Sequence, residues 1–160
     1  MKEIILNKGL KTLVDDEDFE ELSKFTWYSV EHAGCIYAQR TLNVKTGKLY
    51  KSYAVLMHRQ ILRPEGIIDH KDGNGLNNQR SNLRKCTHQQ NMFNRKARKN
   101  SSSKYKGASR IKKTGKWLAV INVGNEHHRL GLFDREIDAA IAYDNAAKKY
   151  HGEFYRKNKI

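Results

Sequence analysis

The stretch DHKDGNGLNNQRSNLRKCTHQQN, from Asp69 to Asn91, decides how the rest of this sequence is interpreted. Apolar residues before it predict a strand that ends at the Asp69–His70 pair, and a polar loop rich in glycine and asparagine follows. A brief second strand is predicted near LRKC. A helix is predicted to open at Thr87, which is a suitable N-cap residue. The segment therefore predicts the order strand, loop, strand, helix.

The spacing within this segment argues against two common metal sites. A calcium-binding EF-hand loop needs oxygen ligands at positions one, three and five and a glutamate at position twelve. Counted from Asp69, position three is Lys71 and position twelve is Arg80, so a calcium loop is excluded. The histidines and the cysteine of the segment lack the paired spacing of structural zinc ligands, which disfavours zinc.

Phosphodiester hydrolysis fits the same residues better. That reaction needs a base that deprotonates water and a divalent cation that stabilises charge on the leaving oxygen. His70 is a base with a suitable pKa, Asp69 offers a carboxylate, and Asn91 offers an amide oxygen one turn into the helix. Asn82, between them, is a candidate to hold the loop or to orient the imidazole. An isolated Asp-His pair would usually be a turn with a surface histidine, but the complete ordered set favours a nuclease.

This segment resembles the HNH endonucleases, in particular those of phages and introns that act as homing enzymes, over residues 61–94. The resemblance implies a ββα-metal fold in which His70 is the general base and Asp69 is a ligand of the metal. It implies that Asn82 braces the loop and orients the histidine, and that Asn91 is the second metal ligand. Many HNH enzymes have a final histidine where this sequence has Asn91. The implied cofactor is a divalent metal ion, Mg²⁺ with Mn²⁺ as the alternative.

The charge of the chain points to a polyanionic partner. The 160 residues have a formal charge of +14, with 31 Lys and Arg against 17 Asp and Glu. Residues 1–31 contain eight acids and four bases, whereas residues 73–125 contain thirteen bases and no acid. Such segregation favours contact with nucleic acid rather than simple solubility. No apolar run is long enough to span a bilayer, and two distant cysteines indicate reduced thiols.

The residues before the nuclease-like segment predict a region of short strands and helices. KEIILN, KTLV, TWYSV, IYAQRTLN and KLYKSYAV are expected as strands. DEDFEELSKF is expected as a helix capped by Asp15 or Asp16, and VLMHRQIL as a helix stopped near Pro64. His58 lies in the second helix, where a structural role is at least as well supported as an approach to the site.

The last third of the chain predicts a sheet of three strands backed by one helix. KYKGASRI, WLAVINV and RLGLF are the strands, and Asp134 is expected to cap the helix REIDAAIAYDNAAKKYH, which Gly152 ends. An apolar stripe of this helix is expected to face the sheet, and it consists of Ile137, Ala140, Ile141 and Ala147. YKGASRIKKTGKWLAVINV and the helix that follows resemble an AP2 DNA-binding domain, which implies binding of the sheet in the major groove.

The resemblance extends to the scaffold of this unit more than to its DNA contacts. Lys106 and Arg129 stand where plant AP2 proteins often have Arg and Trp, so their target sequence does not transfer. The predicted DNA-binding residues are basic positions of the helix tail, the strands and the turn between them. They are Arg95, Lys96, Arg98, Lys99, Lys106, Arg110, Lys112, Lys113, Lys116 and Arg129.

The whole chain is expected to be α+β. It comprises an N-terminal strand-rich region that buttresses the nuclease (1–60), a ββα-metal HNH core (61–94), a basic linker (95–103) and an AP2-like DNA-binding domain (104–160). The expected function is a metal-dependent homing-type endonuclease that nicks or cuts double-stranded DNA. A DNA-binding regulator with an inactive HNH site is the first alternative, and a basic RNA-binding or packaging protein the second.

The expected partner is double-stranded DNA, with neither a membrane nor a small-molecule cofactor. The protein is expected to act as a monomer or a transient dimer. It is expected in the cytoplasm, associated with the nucleoid of a bacterial or phage-infected cell.

Overall fold

The structure is a computed structural model that describes residues 1–97, 100–124 and 126–160. It divides into two compact units, Met1–His88 and Gln89–Ile160, and each mixes helices with strands. The predicted α+β class is confirmed.

The first unit is built mainly from antiparallel strands that are close in sequence. β1 pairs with β2, β4 lies between β3 and β5, and β6 pairs with β7. The strands are β1 (Lys2–Ile5), β2 (Lys11–Val14), β3 (Tyr28–His32), β4 (Cys35–Thr46), β5 (Leu49–Leu56), β6 (Ile67–His70) and β7 (Leu83–Cys86). The helices are α1 (Asp16–Leu22) and α2 (Met57–Leu62). Every one of these elements overlaps a predicted one.

A single apolar cluster holds these pieces together. Trp27 is 2% exposed and its indole Nε1 donates to the carbonyl of Leu22 at 2.8 Å, so the ring is buried with its polar atom satisfied. The buried members are Ile4, Leu6, Val14, Leu22, Trp27, Ala38, Met57, Ile61, Ile68 and Leu83. Since β1, β2, α2, β6 and β7 all contribute to it, the N-terminal region and the β6–β7 hairpin share one core.

At the start of α1, the predicted side-chain cap hydrogen bond is replaced by a contact with a residue distant in sequence. Asp15 occupies the N-cap position, but it makes no side-chain cap hydrogen bond. Its carboxylate accepts from the backbone N–H of Arg80 at 2.7 Å and from Nε2 of Gln79 at 3.3 Å. Asp15 therefore holds the loop before β7 against α1. α2 ends at Leu62, near Pro64 as predicted, and Arg63 follows with φ 43°, in the left-handed region rather than the extended region usual before a proline.

The second unit is an antiparallel sheet covered by a long helix. β9 lies between β8 and β10, and α4 packs on all three strands. The elements are α3 (His88–Phe93), which spans the boundary between units, β8 (Ala108–Arg110), β9 (Trp117–Val123), β10 (Glu126–Phe133) and α4 (Glu136–His151). Among the described residues, the predicted three strands and one helix are confirmed.

Two details of α4 differ from the prediction. Its N-cap residue is Arg135, whereas Asp134 instead forms an ion pair with Lys116 at 3.3 Å. The buried face runs through Ala139, Ala140, Tyr143 and Ala147. Ile141 is 43% exposed, so its assignment to the apolar stripe is wrong. Tyr143, which is 4% exposed, belongs to the buried face instead.

The chain end is tied to the start of β8 by one asparagine. Asn158 Oδ1 accepts from the backbone N–H of Lys106 at 2.8 Å, and its Nδ2 donates to Asp144 Oδ1 at 2.9 Å. Asp144 is 8% exposed, and its carboxylate also accepts from the Asn158 backbone N–H. These bonds hold the last residues against α4.

Across the described parts of the chain, every helix is too short or too polar to cross a lipid bilayer.

Candidate active site

The β6–β7 hairpin positions the Asp69–His70 pair. The two strands are antiparallel, with Asp69 opposite Arg84 and His70 opposite Leu83. Successive side chains of a strand point to opposite faces, and the contacts of the two residues follow that rule. Asp69 meets Arg84, whereas His70 meets side chains from β4, α2 and the connecting loop.

Asn82 braces the loop between the two strands. Its Oδ1 accepts from the backbone N–H of Asp72 at 3.1 Å, and its Nδ2 donates to Asp72 Oδ1 at 3.0 Å and to the Asn77 carbonyl at 2.8 Å. Its own carbonyl accepts from the N–H of Lys71 at 2.9 Å. Asn82 is 8% exposed, so these bonds are shielded from water. The bracing role expected for Asn82 matches these contacts.

The imidazole of His70 is oriented by a different residue. His70 Nε2 lies 3.2 Å from Asn78 Oδ1, and Asn78 is completely buried. The sequence pattern did not indicate Asn78 as a site residue. The only local signal is its place in the Asn77–Asn78 pair, and nothing in that pair distinguishes the loop-bracing member from the one that reaches the histidine.

Aromatic side chains enclose the His70 ring. The ring of His58, from α2, lies 5.0 Å away between centroids and nearly perpendicular, and the ring of Tyr37, from β4, lies at 5.8 Å. His70 is 5% exposed, and burial lowers its pKa below the ordinary 6.5, against the opposing effect of the Asn78 hydrogen bond and nearby aspartates. The ring is therefore neutral near pH 7, as a base must be.

His58 belongs to this cluster. The sequence left its role open, and the structure places it against His70 and Tyr37. It is 7% exposed, and burial together with the charges of His70 and Arg59 lowers its pKa to about 3. His58 is therefore neutral across the physiological range and adds no charge beside His70.

Asp69, the expected metal ligand, is held by an arginine. The Arg84 guanidinium donates to Asp69 Oδ2 from Nε at 2.9 Å and from Nη2 at 2.7 Å. The side chains are 10% and 6% exposed, so the ion pair is buried. Residues directly opposite on paired strands interact. The sequence predicted Arg84 in the second strand, but not the register that sets Arg84 opposite Asp69.

Gly75 allows the loop to approach β4 closely. A Cβ atom at this position would lie 2.4 Å from the Ile36 carbonyl oxygen and 2.6 Å from the Tyr37 ring. We expect Gly75→Ala to displace the loop or the Tyr37 ring and to reduce DNA cleavage more than tenfold. The reason is that a misplacement of about 1 Å can cost 10²-fold. Gly66→Ala, where a Cβ would meet nothing within 4 Å, is the matched control. Equal activity of the two variants would contradict the prediction.

Asn91, the expected second ligand, lies on α3 and is half-buried. Gln89, on the same helix, donates from Nε2 to the Gly124 carbonyl at 3.2 Å. Asn91 belongs to the second unit, and its role as a ligand stays a prediction.

Lys106 closes the end of α3. Its Nζ donates to the carbonyls of Met92, Phe93 and Arg95 at 3.0, 2.6 and 3.1 Å. Burial and the neighbouring arginines, Arg156 and Arg95, lower its pKa to about 8, which leaves most of the ammonium charged at pH 7. A charged donor at the carbonyl end of a helix is stabilising. The structure therefore gives Lys106 a capping role, and its contact with DNA stays a prediction.

The other predicted DNA-binding residues fall in several places. Arg110 is exposed on β8 and pairs with Trp117, over whose ring its guanidinium lies at 5.9 Å. Arg129 is exposed on β10 opposite Val120. Arg98 and Lys99 lie outside the described residues. The remaining members are exposed, and they are Arg95, Lys96, Lys112, Lys113 and Lys116.

A basic cavity lies at one end of the second unit. Its volume is about 390 Å³, and its lining includes Lys104, Arg156, Lys157 and Lys159 together with Arg95 and Lys96 from the tail after α3. No acidic side chain is part of this lining as the described residues define it. The cavity thus concentrates positive charge outside the sheet that the AP2 resemblance would place on DNA.

Comparison with known proteins agrees with this geometry. The model of a family described as HNH endonuclease matches residues 63–93, which span β6, the loop, β7 and α3. Protein 3.8 of Escherichia phage T7 is 33% identical over 94 residues, covering 58% of this chain and 77% of that protein. Dehydration-responsive element-binding protein 2D of Arabidopsis thaliana is 47% identical over 55 residues, which is 33% of this chain and 26% of the plant protein.

One relative matches nearly the whole chain. An uncharacterized HNH endonuclease of Acanthamoeba polyphaga mimivirus is 30% identical over 153 residues, covering 96% of this chain and 77% of its own length. The likeness thus includes the first unit, the segment from β6 to α3 and the second unit. The chain belongs to the HNH endonuclease family.

Proposed function

We propose that this protein is a metal-dependent endonuclease of the homing type, which hydrolyses phosphodiester bonds of double-stranded DNA and holds its substrate with an AP2-like module. The observation that carries the proposal is the state of His70. The ring is buried, neutral near pH 7 and hydrogen-bonded by Asn78, at the end of a strand within the segment matched by the HNH family. A histidine oriented in this way is suited to general-base catalysis.

The proposed reaction is a hydrolysis at phosphorus. His70 takes a proton from a water molecule, and the water oxygen forms a new bond to the phosphorus atom. The bond from phosphorus to the 3′-oxygen breaks, and that oxygen acquires a proton from solvent. The products carry a 5′-phosphate and a 3′-hydroxyl, because the bond that breaks is the one to the 3′-oxygen.

Asp69 and Asn91 are the residues that would hold the metal ion. A carboxylate and an amide oxygen are hard donors, which suits Mg²⁺ and, as the alternative, Mn²⁺, with water completing the coordination. When bound, such an ion stabilises negative charge on the phosphate and on the leaving oxygen. Among the described residues, no three or more His, Cys, Asp or Glu side chains are gathered as a metal site, so Asp69 is the proposed carboxylate ligand.

The plasmid assay tests the proposal directly. Supercoiled plasmid is incubated with pure protein in Mg²⁺, in Mn²⁺ and in EDTA. We expect relaxed or linear product with either metal and none in EDTA. Because a homing enzyme requires its site, a second plasmid carries phage or intron-flanking DNA. Product formed equally well in EDTA would contradict the metal requirement.

Binding of DNA should depend strongly on salt. Each Lys or Arg that neutralises a phosphate contributes about 0.9 to the slope of log K against log salt concentration. We expect Lys112→Ala combined with Lys113→Ala, in the exposed turn between β8 and β9, to lower the slope by roughly 2. Fluorescence anisotropy over a range of KCl concentrations measures it. Lys148→Ala combined with Lys149→Ala, exposed on α4, is the control. An unchanged slope for the turn variant would show that Lys112 and Lys113 do not contact the DNA phosphates.

A DNA-binding regulator with an inactive site is the second candidate. It is favoured by the buried ion pair in which Arg84 holds Asp69 Oδ2, because a ligand carboxylate must then exchange or share its guanidinium partner. The assay above separates the two functions. DNA that is bound in a salt-dependent way, yet remains intact with every metal and every site-containing plasmid, would support the regulator.

The proposal also includes stoichiometry and cellular setting. One site with one base should nick a single strand, so a monomer is proposed to nick, and a double-strand break needs a transient dimer or two visits. The ratio of nicked to linear product at early times reports which of these operates. We propose that the protein acts on DNA in the cytoplasm of a bacterial or phage-infected cell.

A further inference from the structure

We propose that Thr12 and Asn78 form a hydrogen-bonded relay that holds His70 in one tautomer, with the proton on Nε2, so that Nδ1 is its basic nitrogen. The significance of this relay for cleavage rests on the proposed function. Its existence can be tested without any assay of activity. Both residues are positioning residues, since they act on His70 and not on DNA.

The direction of the relay is set at Thr12. The hydroxyl oxygen lies 2.8 Å from the Leu76 carbonyl oxygen and 3.9 Å from the Met57 Sδ atom. A carbonyl oxygen can only accept, so a hydroxyl oxygen 2.8 Å from it must donate its proton to that carbonyl. The lone pairs of Thr12 Oγ1 are therefore left for a donor elsewhere.

Asn78 passes this direction on to His70. Its Nδ2 donates to Thr12 Oγ1 at 2.8 Å, which leaves Oδ1 facing His70 Nε2 at 3.2 Å. Because Oδ1 has no proton, the neutral imidazole must carry its proton on Nε2 to form this bond. A flipped amide would present its NH₂ group to His70 and its oxygen to Thr12, whose proton is already engaged. The relay thus makes Nδ1 the nitrogen that accepts a proton.

Burial and backbone bonds keep the relay in place. Thr12 and Asn78 are each 0% exposed and His70 is 5% exposed, so water does not readily replace any of these partners. The Leu76 carbonyl also accepts from the backbone N–H of Leu13 at 2.8 Å, and the N–H of Asn78 donates to the Leu13 carbonyl at 2.8 Å. The loop is therefore bound to β2 as a short parallel bridge, which keeps Asn78 beside Thr12.

The rings around His70 support the same orientation. A half-turn of the imidazole about its Cβ–Cγ bond would exchange Nδ1 with Cδ2 and move Nε2 away from Asn78. His58 lies edge-on to this ring at 5.0 Å, and Tyr37 lies at 5.8 Å. Close packing on two sides hinders that rotation. The hydrogen bond selects the tautomer, and the packing preserves the ring orientation to which the tautomer belongs.

Two substitutions at one position separate the hydroxyl from the volume of Thr12. Thr12→Val replaces the hydroxyl by a methyl group of similar size, so that Asn78 loses its acceptor and its amide can flip. Thr12→Ser keeps the hydroxyl. If the valine variant fails to fold, Thr12→Ala removes the same hydroxyl without bringing a methyl group against the Leu76 carbonyl. Thermal unfolding of each variant shows which ones retain the fold.

The tautomer is read by nuclear magnetic resonance on protein labelled with ¹⁵N-histidine, without metal or DNA. Long-range ¹H–¹⁵N correlations distinguish the two neutral tautomers, and the signals of His70 are those that disappear in His70→Gln. We expect proton on Nε2 in the wild type and in Thr12→Ser, and a mixture or the opposite tautomer in Thr12→Val. A wild-type proton on Nδ1, or an unchanged tautomer in every folded variant without the hydroxyl, would overturn the relay.

The cleavage assay then connects the relay to function. For histidines that bind a metal ion, removing the group that orients the ring commonly costs about 10- to 100-fold in affinity or activity. We expect a loss of that size in kcat for Thr12→Val, with KM unchanged and with recovery in Thr12→Ser. A tautomer that switches as expected in a protein that cuts no DNA would keep the relay and defeat the nuclease proposal. If the wild type cuts DNA but the His70 tautomer does not depend on the Thr12 hydroxyl, the nuclease proposal stands and the relay is rejected.

Discussion

His70→Ala is expected to abolish metal-dependent plasmid cleavage, with a fall in rate of about 10²- to 10⁴-fold, the usual contribution of a general base. The ring is buried and oriented by Asn78, whereas burial lowers the pKa of its neighbour His58 to about 3, so His58 is a much weaker base. Initial rates of nicking on supercoiled plasmid, at saturating DNA and Mg²⁺, measure the effect.

A matched control separates loss of the base from loss of the fold. His32→Ala removes an exposed histidine from the end of β3 and should leave the rate unchanged. Because His70 fills a buried site, added imidazole can enter the space left by the alanine variant and should restore part of the rate. Full cleavage by His70→Ala would place the base elsewhere, and His58 would be the first residue to test.

Arg84→Met is expected to destabilise the first unit by about 3 kcal/mol, the lower end of the cost of removing one partner of a buried ion pair. The substitution keeps much of the side-chain length but deprives the Asp69 carboxylate, 6% exposed, of its guanidinium donors. Urea unfolding followed by the fluorescence of Trp27, in a Trp117→Phe background, reports on this unit alone.

Two comparisons define what the stability change means. Arg80→Met removes an arginine whose side chain is 44% exposed and which pairs with Asp18, so its effect should be about 1 kcal/mol or less. Asp69→Asn combined with Arg84→Met removes both charges and should cost less than the sum of the single changes. If Arg84→Met and Arg80→Met cost the same, the Asp69–Arg84 pair is not the buried anchor that its geometry indicates.

Local elements of this fold were predictable because their signals are local. β9 matches its predicted bounds, Trp117–Val123. Alternation of apolar and other residues within one segment identifies a strand, even when the strands that pair with it are unknown. β7 and the end of α4 at Gly152 follow in the same way from turn and cap residues. The N-cap predictions were confirmed only in part, since Asp15 stands at the N-cap position of α1 without a side-chain cap hydrogen bond. Asp15 instead binds the backbone N–H of Arg80, 65 residues away, and Asp134 pairs with Lys116.

The composition of the site was predictable only in part, for a related reason. Asp69, His70, Asn82 and Asn91 stand at a spacing that indicates a nuclease, and the structure brings His70 and Asn82 into one braced loop. Asn78 was missed because an asparagine in an Asn-rich loop has no distinguishing pattern. Its partner Thr12 is 66 residues away, and only the folded chain brings the two together.

By itself, the sequence determined the order of strands and helices and the segment that the HNH family model matches, because alternation and spacing are properties of neighbouring residues. Its charge predicted a polyanionic partner. Only the tertiary structure decided which side chains share a contact. It placed Asn78 and His58 on His70, Arg84 on Asp69, and Lys106 on the end of α3. Those contacts form because burial forces each polar group to find a partner wherever the packed chain offers one.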